Sequence, residues 1–258
     1  MTIKPHDYPL LEFDHTRQAI IEPKAQFNVN GLQHVVLCFF NDILNQLASQ
    51  GRLTQLGSLR SEIGSNPVYQ LDYAGKKLLV LHPGVGASLA AGFLEEMIAL
   101  GARCVIACGG CGVLNPAIDV GHPMIVESAV RDEGTSYHYL PPGREATAHP
   151  DAIVALEETL AAHQLPVQKV KAWTTDALYR ETPARRALRV SEGCKVVEME
   201  ASAFFAVAHF RGIKMGQLLY GGDLVVPEGW DSRGWDQHSS SREMLFWLAV
   251  EAVLKLED

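Results

Sequence analysis

The 258-residue sequence is 47% hydrophobic and 20% charged, the balance of an ordinary globular protein with enough apolar residues for a sizeable core. Its formal charge of -8 disfavours nucleic acid or an anionic membrane as partner, yet leaves room for a small anion, which needs only a few local donors. No apolar run approaches the ~20 residues of a membrane-spanning helix, the opening "MTIKPHDYPLLEFDH" lacks the apolar stretch of a signal peptide, and five cysteines suit a reducing cytoplasm better than a disulfide framework.

In chain order, residues 1–30 read as an irregular, proline-bearing arm ahead of a domain spanning 31–258. "HVVLCFF" (34–40) is β-branched and aromatic, a first strand, and a helix follows with Asp42 as its cap. "VYQLDYAGKKLLVLH" (68–82) predicts two strands around an "AGKK" turn. The glycine loop "PGVGAS" (83–88) then enters a helix that Gly101 stops. "RCVIAC" (103–108) predicts a buried strand, with "GGCG" as the loop behind it, and "PMIVESAV" (123–130) another strand. After an amphipathic helix (151–165) come the strands "VQKVKAW" (167–173) and "KVVEM" (195–199), the latter running into a helix stopped by Gly212. "IKMGQLLYGGD" (213–223) is the last strand, with Asp223 on a glycine turn, and residues 239–257 form a final helix with serine caps. Strands alternating with helices predict one α/β domain whose central sheet is mixed, mostly parallel, and flanked by helices. Sites in such sheets gather where strands end, here at 83–88, 108–116, 174–182, 198–201 and 221–236.

Several of these segments carry polar groups. Cys108 and Cys111 form a C-x-x-C, but a zinc site would want a second ligand pair and a redox pair would open a helix, so small buried cysteines fit better. No metal or redox cofactor is implied. "GVGAS" offers either backbone N–H groups to an anion or simply a tight strand-to-helix turn. Arg131 to His138 form a rim, Arg185, Arg186 and Arg189 the exposed face of a helix, and Trp230 and Trp235 a lid for a flat ligand. The sharpest oddity is "KVVEMEASAFFAVAHF", which sets Glu198 and Glu200 on one strand face inside an apolar run. A buried carboxylate is costly unless paired, so each must accept hydrogen bonds from helix N-terminal N–H groups or from a ligand.

Taken together, "VVEMEASAFF", "TTDALYRET" and the block from "GVGAS" to "SYHY" resemble the nucleoside phosphorylase family, which includes uridine and hexameric-type purine nucleoside phosphorylases and is related to hydrolytic nucleosidases. The resemblance implies cleavage of a nucleoside N-glycosidic bond without a cofactor. It implies that Glu200 accepts the ribose hydroxyls, with Met199 beneath the sugar and Glu198 in the same pocket. Asp176, Tyr179, Arg180 and Glu181 would lie near the base, and Asp223 would protonate it as it leaves. It further implies a homo-oligomer, dimer or hexamer, with the arm at 1–30 and the rim at 131–140 as contacts.

The phosphate-binding pattern departs from the family. "CFFNDILNQL" lacks the first loop's glycine and arginine, Ala107 stands where a second arginine is expected, and Gly110 stands for a Ser/Thr. Two enzymes fit: one binding phosphate through amides at Gly84, Gly86, Gly109 and Gly110 with Arg60 or Arg131, and one using water with Asp42 as its carboxylate. A non-catalytic nucleoside-binding protein is a third reading.

Overall fold

The computed structural model describes residues 3–257, so the first two residues of the arm and Asp258 lie outside the described residues. After the arm come β1 (His34–Cys38), α1 (Asn41–Ser49), β2 (Leu53–Ser61), β3 (Gly64–Tyr73), β4 (Lys76–Leu81), α2 (Ala87–Leu100) and β5 (Cys104–Val113). The second half holds β6 (Pro123–Asp132), β7 (Glu145–Thr147), α3 (Pro150–Ala162), β8 (Lys169–Thr175), α4 (Pro183–Ser191), β9 (Cys194–Glu198), α5 (Ala201–Arg211), β10 (Lys214–Val226), β11 (Gly229–Asp231) and α6 (Ser239–Val253).

The strands form one mixed sheet. Parallel pairs run through its centre, β4–β1–β5–β10 and β6–β8–β9, and antiparallel pairs close the hairpins and the joins between those blocks. Because β10 pairs with both β5 and β6, the strands β5, β9, β8, β6 and β10 close into a ring, from which β1, β4, β3 and β2 extend as an open sheet. The central strands β1, β4 and β5 are near-continuous runs of Val, Ile, Leu and Cys because helices cover both faces. Helices α2 and α5 pack together on one side, and α3 and α6 on the other, each over its own apolar cluster.

Local chemistry sets the element ends. Gly101 and Gly212 terminate α2 and α5 at φ 116 and 73, in the left-handed region where a Cβ is disfavoured. Pro150 occupies the first turn of α3, where its missing N–H is no loss.

Several expectations need correction. The "GGCG" segment is not a loop, since β5 continues to Val113 and Cys108 and Cys111 are both buried within it. Likewise β10 runs on to Val226, so Asp223 sits not on a turn but at a register break between Gly221 and Leu224. Asp42 lies in the first turn of α1 rather than at its cap, and the serines lie inside α6, which no side chain caps. The strands β2, β7 and β11 were not foreseen, being short or polar on alternate residues at the sheet margin. Residues of the arm lie against the domain through Phe27, whose ring covers the face of Gly57, and through Glu22, 3.6 Å from Arg211.

Gly216 of β10 marks the closest approach of α3, since a Cβ there would stand 2.8 Å from the Ala152 methyl and 2.9 Å from Ile106. Overpacking a filled core costs about 1–3 kcal/mol. Gly216→Val is expected to lower unfolding free energy by about that amount, measured by urea denaturation, without touching the cavity described next.

Candidate active site

Strand β9 delivers Glu198 to the start of α5, and its carboxylate caps that helix. Oε2 accepts from the backbone N–H of Glu200 (2.8 Å) and Ala201 (2.7 Å), and Oε1 accepts from the Thr174 hydroxyl at 2.5 Å. The Thr174 oxygen in turn accepts from the Ser202 N–H at 3.0 Å, which leaves its hydroxyl free only to donate toward Glu198. Burial pushes the Glu198 carboxyl up, and these donors oppose that push.

Glu200 has a different environment. Its Oε1 accepts from the Gly86 N–H at 2.6 Å. Gly86 has φ 90, a conformation side-chain-bearing residues rarely adopt, so the "GVGAS" loop spends its glycine on holding this carboxylate. Burial first, and the neighbouring Glu198 charge second, raise the Glu200 carboxyl to about 8. The two glutamates therefore divide the work: both border a cavity, but Glu198 is occupied capping a helix while Glu200 caps none.

That cavity has a volume of about 800 Å³. Met199, Glu198 and Glu200 form one wall, β5 contributes Gly110, Cys111 and Gly112, and β10 contributes Gln217, Leu219, Tyr220 and Asp223. Phe39 and Phe40, directly after β1, and Arg242 of α6 close another side. Asp223 accepts from the Trp230 indole N–H at 2.7 Å. Glu181 stands near enough to Asp223 that this charge adds to burial in raising its carboxyl to about 7. Tyr179 and Trp230 sit at the mouth, 91% and 64% exposed.

The structure thus brings together Glu198, Met199, Glu200, Tyr179, Glu181, Asp223 and Gly110 from the expected set. Others lie elsewhere. Asp176 is exposed and accepts from the Gly134 N–H at 2.9 Å, and Arg180 is exposed on the turn without lining the cavity. Arg60 lies on the exposed face of β2, and Gly84, Gly86 and Gly109 do not line the cavity. Phe39 packs where a Gly109 side chain would be. Asp42 does not line it either, being committed to Arg242 at 2.6 Å. Arg131 is also engaged, its three nitrogens donating to Ser136, Pro141 and Leu140 while it lies over the Tyr137 ring. Of the α4 arginines, Arg185 is exposed as expected, but Arg189 is buried, paired with Asp132 and Glu192, and Arg186 donates to the Val225 and Leu114 carbonyls. Sequence reasoning missed Phe39, Phe40, Gln217, Tyr220 and Arg242. The last is separated from its partner Asp42 by most of the chain, so no local pattern announces it.

Comparison with known proteins agrees with this architecture. Residues 33–244 match the phosphorylase superfamily, and the chain belongs to that family. It is similar to a guanosine phosphorylase of Halorubrum lacusprofundi, 26% identical over 68% of this chain and 76% of the relative. It is also similar to a uridine phosphorylase of Thermococcus kodakarensis, 29% identical over 72% of this chain and 75% of the relative. The fold superposes on purine nucleoside phosphorylase from Toxoplasma gondii in complex with immucillin-H with a TM-score of 0.76, at 20% identity over 92% of this chain and 96% of that one.

A carboxyl raised in the folded state favours folding only while it keeps its proton, so Glu200 destabilises the empty protein progressively as pH rises from its ordinary value of 4.5 toward about 8. Glu200→Gln is expected to melt above the parent at pH 8.5 and to match it near pH 5, by thermal unfolding across that range.

Proposed function

We propose that this protein cleaves the N-glycosidic bond of a nucleoside and transfers the sugar to phosphate. The observation that carries this is Glu200, a buried carboxylate facing a nucleoside-sized cavity with one oxygen already held by Gly86. The vicinal hydroxyls of a ribose are suited donors to such a group, and their donation favours the charged form that burial opposes in the empty cavity, hydrogen bonds to a charged acceptor being worth about 1.5–3 kcal/mol each. Met199 packs under the sugar. The base extends toward Glu181, Tyr179 and Asp223, with Trp230 and Trp235 over the mouth.

The chemistry follows from those positions. As the C1′–N bond breaks, electrons leave with the base and positive charge develops on the sugar, which the buried carboxylates stabilise. The base takes a proton from the Glu181–Asp223 pair, where Glu181 retains its own up to about pH 7. A phosphate oxygen then bonds to C1′. The exposed aromatic mouth suits a homo-oligomer that covers it, and five free, buried cysteines suit a reducing cytoplasm.

A second reading has water as acceptor. It is favoured by the lining itself, which sets Glu181, Glu198, Glu200 and Asp223 against one cation and places Phe39, Phe40 and Gly110 where phosphate donors were expected. Purified protein incubated with purine and pyrimidine nucleosides, with and without phosphate, separates the two. Base release that requires phosphate supports phosphorolysis, release without it supports hydrolysis, and binding without release would make this a nucleoside-binding protein. Glu200→Ala is expected to lower kcat/KM by ~100-fold or more, the loss of two such hydrogen bonds.

The pH dependence has a defined sign. A general acid works only while protonated, so Glu181 contributes a limb of kcat/KM that falls as pH rises through about 7, against a rising limb as Glu200 ionises toward about 8, and Glu181→Gln should remove the falling limb and cost roughly 10²–10⁴-fold in rate. A profile unchanged in the variant would transfer the acid role away from Glu181.

A further inference from the structure

We propose that Arg242 is the oxyanion-binding residue of this cavity, and that it takes a phosphate group, either inorganic phosphate or the 5′-phosphate of the substrate. The inference rests on the nucleoside-cleavage reading above and assigns the anion a place that none of the expected residues supplies.

Among the described residues lining the cavity, Arg242 is the only cation. It is also uncommitted to an unusual degree. Its one hydrogen bond runs from Nη2 to Oδ1 of Asp42 at 2.6 Å, and its Nε is buried without any partner. A guanidinium has five N–H donors in a rigid fork. Arg131 and Arg233 each direct all three nitrogens at protein oxygens, and buried Arg189, whose Nε is likewise unpartnered, is held by Asp132 and Glu192 and does not line the cavity. A buried donor left without a partner is costly, which is why native proteins rarely keep one without a purpose.

The surroundings hold the fork in place while leaving it available. The guanidinium carbon lies 5.0 Å from the centre of the Phe40 ring, and Phe40 packs against Tyr220 at 5.8 Å, so an aromatic shelf backs the cation. Asp42 contacts a single nitrogen and is half-exposed, so water screens the pair and a better acceptor can compete with it. Phosphate is that acceptor, since two of its oxygens match the fork bidentately, whereas Asp42 offers one. Among the described lining residues Arg242 also gives an anion its only positive counterpart in a cavity that Glu198 and Glu200 otherwise make acidic. Phosphate adjacent to Phe39, Phe40 and Gly110 needs no glycine-loop amide and neither Arg60 nor Arg131.

The test uses the full-length protein and inorganic phosphate alone, by calorimetry. Arg242→Gln is expected to weaken phosphate binding at least tenfold, and Asp42→Asn, which removes the competing acceptor, to tighten it severalfold. Kinetics then separate the sources. If phosphate is the co-substrate, Arg242→Gln raises its KM at least tenfold and leaves the nucleoside KM unchanged. If it belongs to the substrate, the parent cleaves nucleoside 5′-monophosphates in preference to nucleosides without added phosphate, and Arg242→Gln erases that preference. A folded Arg242→Gln variant with parental phosphate affinity overturns the assignment. Should that variant not fold, unchanged or weaker phosphate binding by Asp42→Asn overturns it equally. Phosphate binding through Arg242 with no base released from any nucleoside or nucleotide would refute cleavage and keep the subsite; base release unaffected by Arg242→Gln would refute the subsite alone.

Discussion

The cap that Glu198 places on α5 is the constraint on which the site depends. Its carboxylate ties together the end of β9, the first turn of α5 and, through Thr174, the end of β8. An anion at a helix N-terminus is favoured both by the free N–H groups and by the helix dipole. With that corner fixed, Met199 and Glu200 have no freedom to reorient. Gly86 then secures Glu200 from the opposite side, so a residue flanked by two separate anchors is held at a single orientation before any ligand arrives. Such preorganisation is what makes a buried charge useful, because nothing has to rearrange when charge develops nearby.

Most of this architecture is legible in the amino-acid order. Uninterrupted runs such as "VVLC" and "CVIAC" mark strands covered on both faces, and Gly101 and Gly212 mark helix ends that the left-handed conformation explains. The paired glutamates are legible too, since an apolar run containing carboxylates needs a reason. What the order of residues conceals is division of labour at a distance. Nothing in "KVVEMEAS" distinguishes the glutamate that caps from the one that does not, because the difference lies in Thr174 and Gly86, brought in from other strands. Arg186 and Arg189 look like a solvated stripe on a basic helix, yet acceptors on β6, β10 and the turn after β5 draw them inward.

Glycine-rich stretches are the least legible of all. "GGCG" and "YGGD" carry turn chemistry by composition, but both are strand: Tyr220 and Val197 fill the space beside Gly110 and Gly112, and Ile118, Asp119 and Trp235 the space beside Gly221 and Gly222. The anion-binding pattern is a related case. Its absence from the expected loop is plain in "CFFNDILNQL", whereas a substitute on the last helix has no signature, and only the folded chain puts α6 beside the residues that follow β1.

Closure of the strand ring has a consequence for how the protein comes into being. Strand β5 finds its partner β10 only after more than a hundred intervening residues, and contacts so far apart along the chain form slowly because a long loop must close first. Three walls of the cavity, those from β9, β10 and α6, are made during the last quarter of synthesis. A nascent chain therefore carries an open sheet of hydrophobic strands, β1, β4 and β5, long before it carries any pocket, and the period before β10 docks is when that exposed sheet is most vulnerable to association with its neighbours.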